Sequence, residues 1–310
     1  MVIPTSSGWA VGDASVNRIT AIAGRFQLLL LEDFNRELNL KQCSYLPWMA
    51  VRSCRAALLP LIERQSSPPQ HLLLLEQSSF LRLLANVLQV DGRHPLSAIV
   101  PEDIGAEILS DTSVFSQWRD RLSQAETALN LAVPWMGNLC RRLLQFVVPI
   151  RHRLLGKPIK RGFSTPLCYG AIFLTFEDRT FEMPWAVIEL AIDLAHELGH
   201  HVLHAYQTAD RIISSDLTAP VYSGVKKTAR PAIMSVHASM ALAYMLIAAR
   251  ALQRHSTDSF VNDRLSRMIE DYQAQQELAL TEIRNHCTFT ALGTRILHDL
   301  QTSLKAPSVN

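Results

Sequence analysis

The stretch His196–His200 reads His-Glu-Leu-Gly-His, and the interpretation of the whole chain starts from it. It follows an apolar run that begins at Trp185 and is broken only by Glu189 and Asp193, so the pattern predicts a buried helix. Two histidines four residues apart on a helix lie about 40° apart around its axis and face one point. That arrangement suits two adjacent positions on one divalent metal, usually zinc or iron. The alternative is a helix whose histidines are exposed or hydrogen-bonded.

Two further histidines follow the motif on the same predicted helix. His201 points about 100° away from His200 around the helix axis. His204 continues the stripe of His196 and His200, where it could support the metal ligands. We expect it to be a surface residue instead.

The known extensions of this motif do not provide the third protein ligand that a catalytic metal usually has. The metzincin pattern requires glycine and histidine where this chain has Leu203 and Tyr206. The gluzincin pattern requires a downstream glutamate, and residues 198–269 contain none. Asp210 and Asp216 could each ligate a metal, but neither lies in a recognisable motif.

The remaining candidate for a third ligand is His237, in an apolar segment that follows Pro231. Proline at the first position and the long apolar run predict a second buried helix. A lone histidine in such a helix is more often a core residue, but here a neighbouring helix offers two histidines that lack a third partner. His237 is therefore a candidate third ligand beside His196 and His200, and a buried core histidine remains the alternative.

Arg230 lies immediately before Pro231, with which this second predicted helix begins. If the backbone were helical from there, its side chain would lie about 10 Å from His237 along the same face, although a residue before proline is often extended. Guanidinium groups bind carboxylates in a bidentate manner. Arg230 could therefore hold the far carboxylate of a dicarboxylate that chelates the metal, or be a surface arginine near a loop.

The order of these motifs resembles one family. His196–His200 is followed by Tyr222-Ser223, then Arg230-Pro231, then His237-Ala238-Ser239. In this order the chain resembles the HExxH-type α-ketoglutarate-dependent peptide β-hydroxylases, which modify ribosomally made peptides. The resemblance covers about residues 160 to 250.

The resemblance implies an Fe(II) enzyme that uses α-ketoglutarate to hydroxylate a side chain of a precursor peptide. It implies that His196, His200 and His237 bind the iron, and that Arg230 binds the cosubstrate with Tyr222 or Ser223. Glu197 could then ligate, orient a ligand or contact the cosubstrate. The alternative is a zinc metallopeptidase in which Glu197 is the general base. A third possibility is a non-catalytic helical partner protein with a degenerate site.

The composition of the 310-residue chain indicates a globular protein with a large core. Hydrophobic residues make up 48% and charged residues 19%, and the net charge of +2 argues against a dedicated nucleic-acid binder. The five cysteines are scattered without a CxxC pair, which is typical of reduced thiols in the cytoplasm. No signal peptide is recognisable. The apolar window at 232–251 is long enough to span a membrane, but its polar residues favour a buried core helix.

The periodicity along the chain predicts a mainly α fold with a small β hairpin or sheet near the metal-binding helix. We expect a helical N-terminal region at 1–156 and a metal-binding catalytic region at 157–306, which could form one continuous domain. Residues 171–176 are expected to form a hairpin or edge strand. The oligomeric state is left open. Helices are predicted at 17–40, 44–62, 72–90, 112–131, 136–155, 185–206, 231–254, 258–286 and 290–304.

Overall fold

In the computed structural model, the residues described are 8–38, 73–74, 106–108, 115–152, 162–164, 170–175 and 185–305. This part of the chain is mainly α-helical, as predicted. Its seven helices are α1 (Asp13–Leu38), α2 (Phe115–Ala132), α3 (Pro134–Leu143), α4 (Trp185–Ala209), α5 (Ala232–His255), α6 (Ser259–His286) and α7 (Ala291–Lys305). The helix predicted at 44–62 lies outside the described residues, as does most of the one predicted at 72–90.

A five-stranded sheet replaces two stretches that were predicted to be helical. Its strands are β1 (Leu73–Leu74), β2 (Ala106–Ile108), β3 (Phe146–His152), β4 (Gly162–Ser164) and β5 (Ala171–Thr175). The pairing order is β1-β3-β5-β4, and β2 also pairs with β3. The start of the predicted helix at 72–90 is therefore strand β1.

The helix predicted at 136–155 is wrong beyond Leu143. The run from Phe146 to Ile150 is apolar, is rich in β-branched residues and contains Pro149, which a helix interior excludes. Pro149 lies between the segments of β3 that pair with β1 and β2, where no described strand pairs on that side. The residues after Leu143 that the pattern predicts to be helical therefore include the buried strand β3.

Strand β5 forms the predicted hairpin with β4 but is not an edge strand. It pairs with β4 on one side in antiparallel fashion and with β3 on the other in parallel fashion. All five of its residues are buried. A strand that is paired on both sides and buried on both faces has a nearly continuous run of apolar residues, which explains Ala171–Leu174.

The chain divides into two compact units, each made of separate segments. The first unit comprises residues 1–24, 127–140 and 191–310, and the second comprises 25–126 and 141–190. The predicted boundary at 156/157 falls inside the second unit. The second unit holds the five-stranded sheet, and the first unit holds α5, α6, α7 and the histidines of α4.

A two-stranded hairpin in the first unit leads into α5. Its strands are β6 (Pro220–Ser223) and β7 (Thr228–Pro231), and they pair in antiparallel register. The turn between them includes Lys227 with a φ of 52°, a left-handed conformation. This hairpin was not predicted, although Gly224 marks its turn. It places a small β element in the same unit as the histidines of α4.

Helix α5 is the central helix of the first unit. It is the one helix in the described part of the chain that is long and apolar enough to cross a membrane, but 72% of that window is buried. It packs against α6, α7 and the hairpin. This burial confirms the prediction of a buried core helix.

The N-terminal segment is held to the first unit by buried polar contacts, which we call the N-terminal clasp (Trp9, Ala10, Tyr206, Tyr244 and Asp299). The Asp299 carboxylate accepts hydrogen bonds from the backbone N–H groups of Trp9 at 2.6 Å and Ala10 at 2.7 Å. The Tyr206 hydroxyl donates to the Trp9 carbonyl, and the Tyr244 hydroxyl donates to the Ala10 carbonyl at 2.7 Å. Each polar atom named here has a partner within the chain.

Candidate metal centre

The HExxH motif lies on α4 where this helix crosses α5. A Cβ atom added to Gly199 would lie 2.9 Å from the Ala241 Cα and 3.1 Å from the Met240 carbonyl oxygen. These are backbone atoms and cannot move aside cheaply. Glycine at the fourth position of the motif therefore lets the two helices approach closely at the metal-binding segment.

The contacts on either side of this crossing show that α4 and α5 run antiparallel. His196 contacts Met245, Gly199 faces Ala241, and the ring of His204 lies 4.6 Å from that of His237. As the residue number rises along α4, the number of the contacting residue on α5 falls. The two helices therefore run in opposite directions past one another at these three pairs of residues.

His196 and His200 have the geometry that the motif predicts. Their Nε2 atoms lie 3.1 Å apart, and their ring centroids lie 4.7 Å apart. Two nitrogens bound at about 2.0–2.1 Å to one ion would have this separation at an angle of about 100°. That angle lies between the octahedral and tetrahedral values. The pair therefore fits two neighbouring positions on one divalent ion.

Solvent can reach this point. The His196 side chain is 35% exposed, whereas Glu197 next to it is almost fully buried. An ion held by the two Nε2 atoms would have an open side, as a catalytic metal requires. The Oε1 atom of Glu197 lies 3.9 Å from the Nε2 atom of His196.

His237, the predicted third ligand, lies beside His200 but level with His204. Its ring centroid is 5.6 Å from that of His200, and its Nε2 atom is 3.2 Å from the Oε1 atom of Gln207. His204 and His196 are eight residues apart, or about 12 Å along α4. The structure thus brings His237 close to both His200 and His204. The described residues contain no group of three His, Cys, Asp or Glu side chains arranged to hold a metal ion.

The prediction that His204 is a surface residue is wrong. His204 is buried, and its Nδ1 atom lies 3.3 Å from the same Gln207 Oε1 atom that His237 contacts. Gln207 follows His204 by three residues and His200 by seven, so it continues the stripe of the motif. That spacing could have identified Gln207 as a neighbour of the motif histidines. We call His196, His200, His204, His237 and Gln207 the histidine cluster.

Burial keeps three of these imidazoles neutral. Desolvation lowers the pKa of His200 well below its ordinary value, and the neighbouring imidazoles, His196 first, lower it further. Desolvation also lowers the pKa of His237, with His204 as a second cause. It lowers the pKa of His204 to about 4, against the opposing effect of its contact with Gln207. Neutral imidazole is the form that binds metals.

The three predicted cosubstrate residues lie on the hairpin that leads into α5. In the antiparallel register Val221 is opposite Arg230, and Tyr222 is opposite Ala229. Side chains alternate between the faces of a strand, so Ser223 and Arg230 share one face and Tyr222 lies on the other. Ser223 is buried, whereas Tyr222 is 41% exposed. Of the three, the structure brings Ser223 and Arg230 to a common face.

Comparison with known proteins does not assign the chain to a family. No family model matches the chain, and no curated protein is significantly similar to it.

Proposed function

We propose that this chain is a metal-dependent enzyme whose divalent ion is bound by His196 and His200. The observation that carries the proposal is the 3.1 Å separation of the two Nε2 atoms. Three features support it. The imidazole of His200 is held neutral, the side chain of His196 has an open side to solvent, and Gly199 lets α5 pack close to the motif.

Within this proposal we favour Fe(II)/α-ketoglutarate-dependent hydroxylation of a side chain in a ribosomally synthesised precursor peptide, in the cytoplasm. The support is the order of motifs shared with the peptide β-hydroxylases. Histidine ligands with open positions also suit non-haem iron. Bound Fe(II) would activate O2, which would oxidise α-ketoglutarate to succinate and carbon dioxide and hydroxylate an unactivated carbon of the peptide. His237 is proposed as the third ligand: its ring lies 5.6 Å from that of His200, and its Nε2 atom would have to leave Gln207 to bind the ion.

The residues of the chain have separate roles in this proposal. Arg230 lies one residue before the end of the hairpin, and α5 begins at Ala232. The backbone N–H of Ala232 donates to the Ala219 carbonyl at 2.9 Å, which fixes the hairpin to the start of the helix that carries His237. Arg230 would bind the far carboxylate of the cosubstrate through two parallel hydrogen bonds. Ser223, on the same face, could add a hydroxyl donor.

The direct test is anaerobic addition of Fe(II) and α-ketoglutarate to the metal-free protein. We expect a weak visible charge-transfer band, and on admission of oxygen we expect succinate to form. His200→Ala should abolish the band. His255→Ala, an exposed histidine on α5, is the matched control and should retain it. Iron binding without a band on addition of α-ketoglutarate would contradict the oxygenase proposal and leave the metal site standing.

Two variants test the remaining assignments. Arg230→Ala should raise the apparent Michaelis constant for α-ketoglutarate strongly while iron stays bound, whereas Arg254→Ala, an exposed arginine on α5, should not. His237→Ala should weaken metal binding. An unchanged Michaelis constant would remove Arg230 from the cosubstrate site, and unchanged metal affinity would remove His237 from the ligand set.

A zinc metallopeptidase is the second candidate, and the position of Glu197 favours it. A general base in such an enzyme must lie beside the ion, and the buried Glu197 carboxylate is 3.9 Å from the His196 Nε2 atom. Tight zinc binding together with peptide cleavage that Glu197→Gln abolishes would establish this function. Zinc binding that Glu197→Gln leaves intact, with no cleavage by either protein, would exclude it.

A further inference from the structure

One contact of His196 lies on the far side of its ring from His200. The Nδ1 atom of His196 is 2.9 Å from the sulfur of Met245, while its Nε2 atom faces the Nε2 atom of His200. A thioether sulfur has no hydrogen to donate and can only accept. The hydrogen in this contact must therefore be carried by Nδ1 of His196.

This placement of the hydrogen determines which form of the ring is present. A neutral imidazole carries one hydrogen, so an Nδ1–H tautomer leaves the lone pair on Nε2. That lone pair points to the position shared with His200. Metal-binding histidines generally donate their second ring N–H to a carboxylate, a carbonyl or water, which fixes the tautomer and the orientation of the ring.

The antiparallel crossing explains why residue 245 lies beside His196. Gly199 faces Ala241, and one helical turn further along each helix His196 meets Met245. Met245 is half-buried, so its sulfur is held between the two helices and is not a free surface group. The close approach that Gly199 allows brings the sulfur within reach of the ring.

We propose that Met245 is the positioning residue of the metal centre: its sulfur accepts the Nδ1 hydrogen of His196 and thereby leaves the Nε2 lone pair facing His200, where an ion would bind. The effect on metal affinity rests on the proposed function, but the effect on the tautomer does not. Leucine has nearly the same shape and no acceptor. Glutamine has similar length and an amide oxygen that accepts strongly.

The first experiment measures the tautomer without metal. In metal-free protein labelled with ¹⁵N-histidine, at about pH 8 where an ordinary histidine is neutral, the ring signals of His196 are assigned by their loss in His196→Gln. We expect the Nδ1–H form in the parent protein, a shift toward the Nε2–H form in Met245→Leu, and recovery of the Nδ1–H form in Met245→Gln. Met240→Leu, a buried methionine on the same helix, is the matched control and should leave the signals unchanged.

The second experiment measures zinc affinity of the same proteins by competition with a chromophoric chelator. Loss of a group that orients a ligand typically costs about 10- to 100-fold in metal affinity, and we expect this loss in Met245→Leu. Met245→Gln should restore the affinity, which a merely structural role of Met245 would not predict. Thermal melting confirms that each variant is folded.

The outcomes separate the two proposals. An Nε2–H tautomer in the parent protein, or unchanged tautomer and affinity in Met245→Leu, overturns the role of Met245. Failure of the parent protein to bind zinc while the tautomer responds as expected overturns the proposed function and supports the contact between Met245 and His196.

Discussion

The histidine cluster and the N-terminal clasp are both groups of buried and half-buried polar side chains in the first unit, yet their hydrogen bonds differ. In the clasp every named donor has an acceptor: Asp299 accepts from two backbone N–H groups, and two tyrosines donate to carbonyls. In the histidine cluster two ring nitrogens of the same kind, in His196 and His200, face one another. A closed set of hydrogen bonds stabilises the fold by itself. The two facing nitrogen atoms can share one hydrogen when no metal is bound, or can both bind one cation.

The largest expected effect is that of a bound ion on stability. A ligand at about 1,000 times its dissociation constant raises the free energy of unfolding by about 4 kcal/mol. Zinc should therefore raise the melting temperature of the parent protein and of His255→Ala. His200→Ala should show no such rise, as calorimetry would record. An equal rise in His200→Ala would place the ion elsewhere.

The stability that the N-terminal clasp gives to the fold should not depend on a bound metal. Asp299→Ala leaves the backbone N–H groups of Trp9, which is half-buried, and Ala10, which is buried, without their acceptor, and we expect a loss of about 3 kcal/mol in the free energy of unfolding. Zinc affinity of the folded protein should be unchanged. Asp263→Ala, at an exposed position, should cost less than about 0.5 kcal/mol. If Asp299→Ala removed zinc binding from a folded protein, the two clusters would not be independent.

The next largest effect on stability is expected at Gly199, where α4 crosses α5. Gly199→Ala introduces a Cβ atom 2.9 Å from the Ala241 Cα, and such overpacking costs about 1–3 kcal/mol. We also expect weaker zinc binding, because α5 must move away from the motif. Gly24→Ala on α1 is the control: nothing lies within 4 Å of its added Cβ, so it should stabilise by about 0.4–1 kcal/mol. Similar gains for both variants in urea unfolding would contradict the close crossing.

Acid should destabilise the metal-free protein through the histidine cluster. The pKa of His204 is about 4 in the folded protein and is about 6.5 when unfolded, so the unfolded state binds more protons between these values. The stabilising effect of the neutral ring is present above pH 6.5 and is lost as pH falls toward 4. His204 alone should account for about 2 kcal/mol between pH 7 and 5. Urea unfolding at several pH values measures this loss, and His204→Gln should reduce it. An equal loss in His204→Gln would assign the acid sensitivity to other groups.

The sequence predicted the local geometry of the site because a helix determines which residues share a face. The four-residue spacing placed His196 and His200 together, and the structure has their Nε2 atoms 3.1 Å apart. The apolar run with Pro231 before it predicted α5, which begins at Ala232. These features depend only on neighbours along the chain.

The sequence could not give the register between α4 and α5, which depends on how two distant helices cross. That register sets His237 level with His204 and Met245 level with His196. It also buries His204, which the pattern alone assigned to the surface. Strand β3 was missed for a related reason: a central strand buried on both faces lacks the alternation that marks an exposed strand.

The central claim is that one divalent ion binds between the Nε2 atoms of His196 and His200. X-ray absorption fine structure of the protein loaded with one equivalent of zinc tests it most directly. We expect scattering from at least two imidazole rings with zinc–nitrogen distances of about 2.0–2.1 Å, and its loss in the His196→Ala, His200→Ala double variant. A spectrum with oxygen neighbours only, or one that the double variant reproduces, would contradict the claim.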